Sequence, residues 1–139
     1  MIGKWLSKWR KGNFEKTQEI EDELTKIKEK LNAKYISFIG VSGNINGLNL
    51  IYAVDTNFDY KLFAGVFAEM FQKIDLIKKI FFKGEVNLSY INYSDKILFF
   101  RAITETVALV GVLPTNKSLK QVSEWLEKNC ERIQPIFNF

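Results

Sequence analysis

The chain has 139 residues, which is enough for one domain with its own core and too short for two domains of ordinary size. It contains no histidine and one cysteine, which excludes Ser-His and Cys-His catalytic pairs, internal disulfides and multi-cysteine metal sites. The net charge of +4 lies entirely in the first eleven residues, because the other sixteen basic residues are balanced by sixteen acidic ones.

Residues 1–13 read as a basic amphipathic segment that ends at a Gly-Asn pair. In a helix its four apolar side chains share one arc about 100° wide, and its basic side chains lie outside that arc. One interpretation is an interfacial helix on an anionic membrane. The membrane-contact residues predicted on that basis are Ile2, Lys4, Trp5, Leu6, Lys8, Trp9, Arg10 and Lys11. The alternative is that the two tryptophans pack on the protein itself.

Apolar residues at helical spacing predict a second helix from about Phe14 to Leu31, with one face on a core. The spacing then becomes that of strands, which are predicted over Tyr35–Val41 and Leu48–Val54 with a turn over 42–47 between them.

The next helix, predicted from about Phe58 to Ile74, is unusually apolar and begins at a capping box formed by Thr56 and Asp59. A helix that covers one face of a sheet normally has a polar outer side, so we expect a second copy or a related chain to cover this one. The predicted dimer interface consists of Leu62, Phe63, Ala64, Val66, Phe67, Ala68, Met70 and Phe71. The alternative is a central helix of a monomer, covered by the N-terminal segment or the C-terminal tail.

Three strands and a helix complete the chain. A strand with one polar face is predicted around Val86–Tyr90. Two more, Ile97–Ile103 and Val107–Leu113, are apolar on both faces and therefore central. We expect Ser118 to cap the final helix, which buries Leu119, Val122, Leu126 and Ile133.

These elements predict an α+β fold with a mostly antiparallel five-stranded sheet and helices on both faces. The order is α-β-β-α-β-β-β-α, preceded by the short amphipathic N-terminal helix. The predicted division is an N-terminal segment over 1–13, one domain over 14–133 and a tail over 134–139.

This order resembles the roadblock/dynein light-chain family, which has the roadblock/longin-like fold. The similarity lies in the turn Ser42-Gly43-Asn44-Ile45-Asn46-Gly47-Leu48, in the alanine-containing second helix of the domain and in the last strand, Ala108–Leu113. Family members often carry an Asp-Gly pair where this turn has Asn46-Gly47. The longin fold lacks a helix before its first hairpin, so the helix over 14–31 favours roadblock.

The resemblance implies a regulatory protein rather than an enzyme. Family members dimerise by pairing the second helix and extending the sheet across the two-fold axis, and they bind small Ras-like GTPases or related partners. In some bacterial and archaeal cases they stimulate GTP hydrolysis. We therefore expect a non-catalytic homodimer or heterodimer, without cofactor, metal or catalytic residue.

The remaining candidates are few. Arg101 is isolated on an apolar strand and is a candidate partner contact, although such residues more often only reach the surface. The rival interpretation is a PAS-like or GAF-like sensory domain with a pocket between sheet and helix. Nucleic acid is not expected as a partner, because the domain itself carries no basic excess. With no signal peptide evident, we expect a cytoplasmic protein, peripheral to the inner face of the membrane if the N-terminal helix binds lipid.

Overall fold

The computed structural model describes residues 2–82 and 88–139. Its α-helices, in chain order, are α1 (Ile2–Gly12), α2 (Phe14–Leu31), α3 (Tyr60–Ile77) and α4 (Asn116–Ile133). A π-helical turn over Lys78–Phe82 continues α3, and 3-10 turns lie at Gly43–Ile45 and Gln134–Phe137. Within the described ranges, no helix combines the length and the hydropathy that crossing a membrane requires.

Five strands form one sheet: β1 (Tyr35–Gly40), β2 (Asn49–Val54), β3 (Ser89–Asn92), β4 (Ile97–Ala102) and β5 (Val107–Leu113). Their order across the sheet is β2-β1-β5-β4-β3, and every neighbouring pair is antiparallel. The predicted fold class is thereby confirmed. All seven residues of β5 are buried, as expected for a central strand, whereas β2 and β3 are the edges.

The helices divide between the two faces of the sheet, and each face has its own core. On one face α2 and α4 pack with the C-terminal 3-10 turn, and Phe38, Phe99 and Phe137 lie in the core that they form. On the other face α3 packs alone against Tyr35 and Phe100. The sheet therefore separates α3 from every other described α-helix.

Some element boundaries differ from the predicted ones. Asp59, rather than Thr56, is the N-cap of α3, and its carboxylate accepts a hydrogen bond from the Leu62 amide at 3.1 Å. Thr115, rather than Ser118, caps α4 by accepting from the Ser118 amide at 3.2 Å. Of the strand predicted around 86–90, residues 86 and 87 lie outside the described part.

The two alanines of α3 face the sheet, which places part of the predicted dimer interface in the core. Ala64 and Ala68 are fully buried, and Phe67 and Phe71 pack beside them against the sheet. Small side chains let the helix lie close to the strands, while the two rings fill the space on either side. These four residues are core residues and are not available to a partner.

A buried polar network fixes the N-terminal end of α3. The Oδ1 atom of Asn49 accepts hydrogen bonds from the Tyr35 hydroxyl and, at 2.8 Å, from Ser37 Oγ. Asn49 Nδ2 donates to the carbonyl of Tyr60 in the first turn of α3, at 3.1 Å. Burial raises the pKa of the Tyr35 hydroxyl, because an ionised phenolate would lose its hydration there.

A second anchor holds the middle of α3 against the β1–β2 turn. Gln72 Nε2 donates to the carbonyl of Val41 at 2.9 Å and to Asn46 Oδ1 at 2.8 Å. Gly47, at φ +79°, comes so close to the helix that a Cβ on it would lie 3.3 Å from Gly65 Cα. Because α3 is fixed at two points along its length, its rotation about its own axis is also fixed.

We expect Ala68→Leu to lower the free energy of unfolding by about 1–3 kcal/mol, because the added atoms have no room between α3 and the sheet. Val66→Leu, on the exposed side of the same helix, should change it by less than about 0.5 kcal/mol. Urea denaturation compares the two. Equal stability of both variants would contradict the orientation of α3 described here.

The stability of the protein should also fall in alkali. Above the ordinary tyrosine pKa of about 10, Tyr35 loses its proton in the unfolded chain but keeps it in the fold. The unfolded state then binds fewer protons, so the free energy of unfolding decreases as the pH rises. Urea unfolding at pH 8 and pH 11 measures this loss. Tyr35→Phe should reduce it, whereas Tyr93→Phe, at an exposed tyrosine, should not.

Candidate functional site

Large apolar side chains that remain exposed form three groups within the described residues. The first lies on α3 and the π-helical turn after it, and it comprises Leu62, Val66, Leu76, Ile77, Ile80 and Phe81. The second, on and just after β3, comprises Tyr90, Ile91 and Tyr93, and the third comprises Trp5, Phe14 and Phe139. Exposed apolar surface along one helix marks a site where a protein or a membrane binds, so the first group is the candidate site.

The exposed side of α3 carries residues at alternating spacings of four and three. We call these residues the α3 seam: Leu62, Val66, Glu69, Lys73 and Leu76, followed by Ile80 in the π-helical turn. This spacing is that of the contact line between two helices of a coiled coil. Leu62 and Val66 are 64% and 61% exposed, so the line faces away from the sheet.

Two opposite charges occupy the middle of the seam. Glu69 and Lys73 are exposed, and neither forms an ion pair with any other described residue. Asp75, which lies to one side, is instead held at 2.9 Å by Lys79, and this carboxylate raises the pKa of the lysine. The seam thus offers one free carboxylate and one free ammonium group between two apolar ends.

Strand β3 is an edge of the sheet. Within residues 2–82 and 88–139 it is hydrogen-bonded to β4 on one side only, and Tyr90, Ile91 and Asn92 are exposed. An exposed strand edge presents unpaired N–H and C=O groups that another strand can pair with. The edge and the seam are therefore two surfaces that a partner could complete.

The structure separates the predicted interface residues into three groups. Leu62 and Val66 are exposed on the seam, and Phe63 and Met70 are half-buried at its border. The other four are the core residues described above. The prediction from the sequence did not include Leu76, Ile77, Ile80 and Phe81. The apolar residues nevertheless continue at spacings of three and four past Ile74, which could have indicated them.

The predicted membrane-contact residues are also divided, because α1 packs on the body of the protein. Leu6 and Trp9 pack against the core, and Trp9 Nε1 donates to the Ile136 carbonyl at 3.3 Å. Arg10 Nη2 donates to the Leu50 carbonyl on the free edge of β2 at 2.6 Å. The predicted residues that remain exposed are Lys4, Trp5, Lys8 and Lys11, and the side chain of Ile2 lies outside what the structure describes.

Arg101 is half-buried near the end of β4, opposite Leu109 of β5. It forms no ion pair with the residues described, and it lies on the face of α2 and α4, away from the α3 seam. The structure does not bring it together with the other candidate residues. Its role as a partner contact stays a prediction.

A cleft of about 310 Å³ lies at one end of the sheet, and its lining includes Lys34, Asp55, Phe58 and Lys96. Lys28, 2.5 Å from Asp55, holds the pKa of that carboxyl below its usual range. The cleft does not lie where the sensory interpretation requires a pocket. Between α3 and the sheet the space is filled by aromatic rings, with Phe67 and Phe100 centred 5.5 Å apart.

Among the described residues, no group of three or more carboxylates or cysteines could hold a metal ion.

No protein-family model matches the chain, and comparison with curated proteins finds no relative. Solved structures do match. MglB of Myxococcus xanthus aligns over 83% of this chain and 97% of its own, with a TM-score of 0.65 and 18% identity. An MglB with a tetrameric arrangement aligns over 86% and 89%, with a TM-score of 0.67 and 14% identity.

The Roadblock/LC7 domain of Streptomyces avermitilis aligns over 69% of this chain and 83% of its own, with a TM-score of 0.53 and 9% identity. These similarities cover most of each chain and agree with the element order and the sheet described above. The chain therefore has the roadblock/longin-like fold.

Proposed function

We propose that this chain is a non-catalytic scaffold that pairs through the α3 seam, and that the resulting dimer binds a small Ras-like GTPase. The observation that carries the proposal is the seam itself: an exposed line of apolar residues on a rigidly held helix, with one carboxylate and one ammonium group between its ends.

The seam is complementary to an antiparallel copy of itself. Pairing two α3 helices about residue 71 places Val66 opposite Leu76 and Glu69 opposite Lys73 of the partner subunit. Both apolar ends are then covered, and two symmetric ion pairs form between them. A parallel pairing would place Glu69 opposite its own copy, and like charges in an interface are costly. Charged residues on such a line are a known means of fixing orientation and register.

This charge pattern favours a second copy over a related chain. A C2 interface uses the same surface on both subunits, so each residue and its contact appear twice. Glu69 and Lys73 satisfy that condition within one sequence. A heterodimer with a related subunit would require the complementary pair to have been retained in both chains.

The GTPase assignment rests on the resemblance to roadblock proteins and on the likeness of the fold to MglB. The titratable groups described here support binding rather than catalysis, because Asp55, Asp75 and Glu23 are held by lysine or arginine partners. The neutral body and the basic N-terminal segment are compatible with a cytoplasmic protein at the inner face of the membrane.

Charge reversal on the seam should weaken dimerisation. Glu69→Lys places lysine opposite Lys73 of the partner subunit, and we expect the dimer dissociation constant to rise about tenfold or more. Lys73→Glu should do the same. The double variant E69K/K73E restores opposite charges and should recover most of the affinity. Analytical ultracentrifugation over a concentration series measures all four proteins.

The matched control is Lys120→Glu, an exposed charge reversal on α4, which should leave the dissociation constant unchanged. If both single variants and the double variant keep the wild-type mass at every concentration, the antiparallel seam is not the interface. A monomeric wild-type protein would also overturn the dimer.

The proposed dimer should retain a Ras-like GTPase in one nucleotide state. Affinity capture from the native cytosol is compared in the presence of GTP and GDP analogues, followed by titration of the purified GTPase. We expect nucleotide-dependent binding by the wild type and weaker binding by Glu69→Lys. If no Ras-like GTPase is retained in either state, the scaffold has another partner and the assignment fails.

A further inference from the structure

We propose that α1 and the C-terminal tail form one composite surface that binds an anionic lipid membrane while α1 stays docked on the domain. The surface consists of three lysines of α1, Lys4, Lys8 and Lys11, together with the adjacent rings of Trp5 and Phe139. It deepens the peripheral location named above and does not depend on the proposed dimer.

The apolar face of α1 is already occupied by the protein. Trp9 packs with its ring centre 5.8 Å from that of Phe137, and its indole N–H donates to Ile136. Arg10 is hydrogen-bonded to Leu50 on the edge of β2. A membrane-bound form that inserted this face into lipid would lose all of these contacts. The surface available to a membrane is therefore the outer side of the docked helix.

That outer side is a stripe of positive charge without compensation in the fold. Lys4, Lys8 and Lys11 are four and three residues apart, so they share one face of the helix, and all three are exposed. None of them forms an ion pair with another described residue. Like charges at this spacing destabilise a helix, and Lys4 lies near the positive end of the helix dipole. An external anionic surface would relieve this repulsion.

Two aromatic rings lie together beside the stripe of lysines. Trp5 is 38% exposed and Phe139 is 49% exposed, with their ring centres 5.1 Å apart in an edge-to-face arrangement. Tryptophan is favoured at membrane–water interfaces because its ring is apolar and its N–H is polar. Basic residues beside shallow aromatic rings are the composition expected of a surface that rests on lipid headgroups.

A nucleic acid or an acidic protein fits these observations less well. The stripe is only about 10 Å long, and the rest of the chain has no excess of basic residues that would extend it. Exposed aromatic rings beside basic residues are also more typical of a membrane interface than of a nucleic-acid groove. Both alternatives are nevertheless outcomes that the experiment below separates.

Vesicle co-sedimentation of the full chain tests the proposal, with phosphatidylcholine alone compared with phosphatidylcholine containing phosphatidylserine. We expect binding only to the anionic vesicles, reduced by salt. Each lysine near an anionic surface changes partitioning by about fivefold, so K4Q/K8Q/K11Q should weaken binding roughly 100-fold. The control K16Q/K26Q/K30Q removes three exposed charges from α2 and should weaken binding far less.

Equal binding of the two triple variants, or equal binding to neutral vesicles, would overturn the lipid surface. Binding to a polynucleotide or a polyglutamate peptide as strong as binding to anionic vesicles would overturn the choice of lipid. The Glu69→Lys variant separates this inference from the dimer. If this variant no longer dimerises but still binds anionic vesicles, the lipid surface stands without the dimer; if the dimer is lost and vesicle binding is lost with it, the lipid surface of the single chain is overturned.

Tryptophan fluorescence tests whether α1 stays docked. The chain has three tryptophans, so W9F/W125F leaves Trp5 and W5F/W125F leaves Trp9. On anionic vesicles we expect a blue shift of Trp5 emission and little change for Trp9. Phe139→Ala should reduce vesicle binding without changing the far-UV circular dichroism. A blue shift of Trp9 as large as that of Trp5 would show that the helix leaves the domain and would overturn the docked arrangement.

Discussion

The contact between α3 and the sheet is the constraint on which the rest of the molecule depends. Ala64 and Ala68 allow the helix to lie close to the strands, and the network of Tyr35, Asn49 and Tyr60 fixes its first turn. Gln72 holds it again at the β1–β2 turn. A helix held at two points cannot rotate, so its apolar outer side is presented to solvent in one fixed orientation. The α3 seam is exposed because the opposite side of the helix is buried against the sheet.

The sheet gives the two faces of the protein different surfaces. On the α3 side there is one helix with an uncovered apolar line, and among the described residues the edge strand β3 is paired on one side only. On the other side α2 and α4 are joined by Arg132, which contacts Glu19 and Glu23 at 2.8 and 2.7 Å, and α1 and the tail close over that core. Pairing through the first face leaves the second free, so a partner and a membrane could be bound at once without competing for surface.

Several features of the fold were predictable from the sequence because they depend on local pattern. The spacing of apolar residues identifies the helix over 14–31, and the uninterrupted apolar run over 107–113 identifies a central strand, since only a strand covered on both faces loses its alternation. Short connections between consecutive strands made an antiparallel sheet the natural expectation. The charge imbalance before residue 12 is a matter of composition alone.

The sequence by itself thus determined the elements, their order, the fold class and the position of the basic segment. Only the tertiary structure decided which side of α3 is buried, because a helix that is apolar around most of its circumference offers no periodic contrast from which to choose. Ala64 and Ala68 proved to face inward. It also decided that Trp9 is half-buried against the core while Trp5 stays exposed beside Phe139, a contact between the two ends of the chain. Such contacts depend on where the sheet brings distant segments together, and no local pattern encodes that.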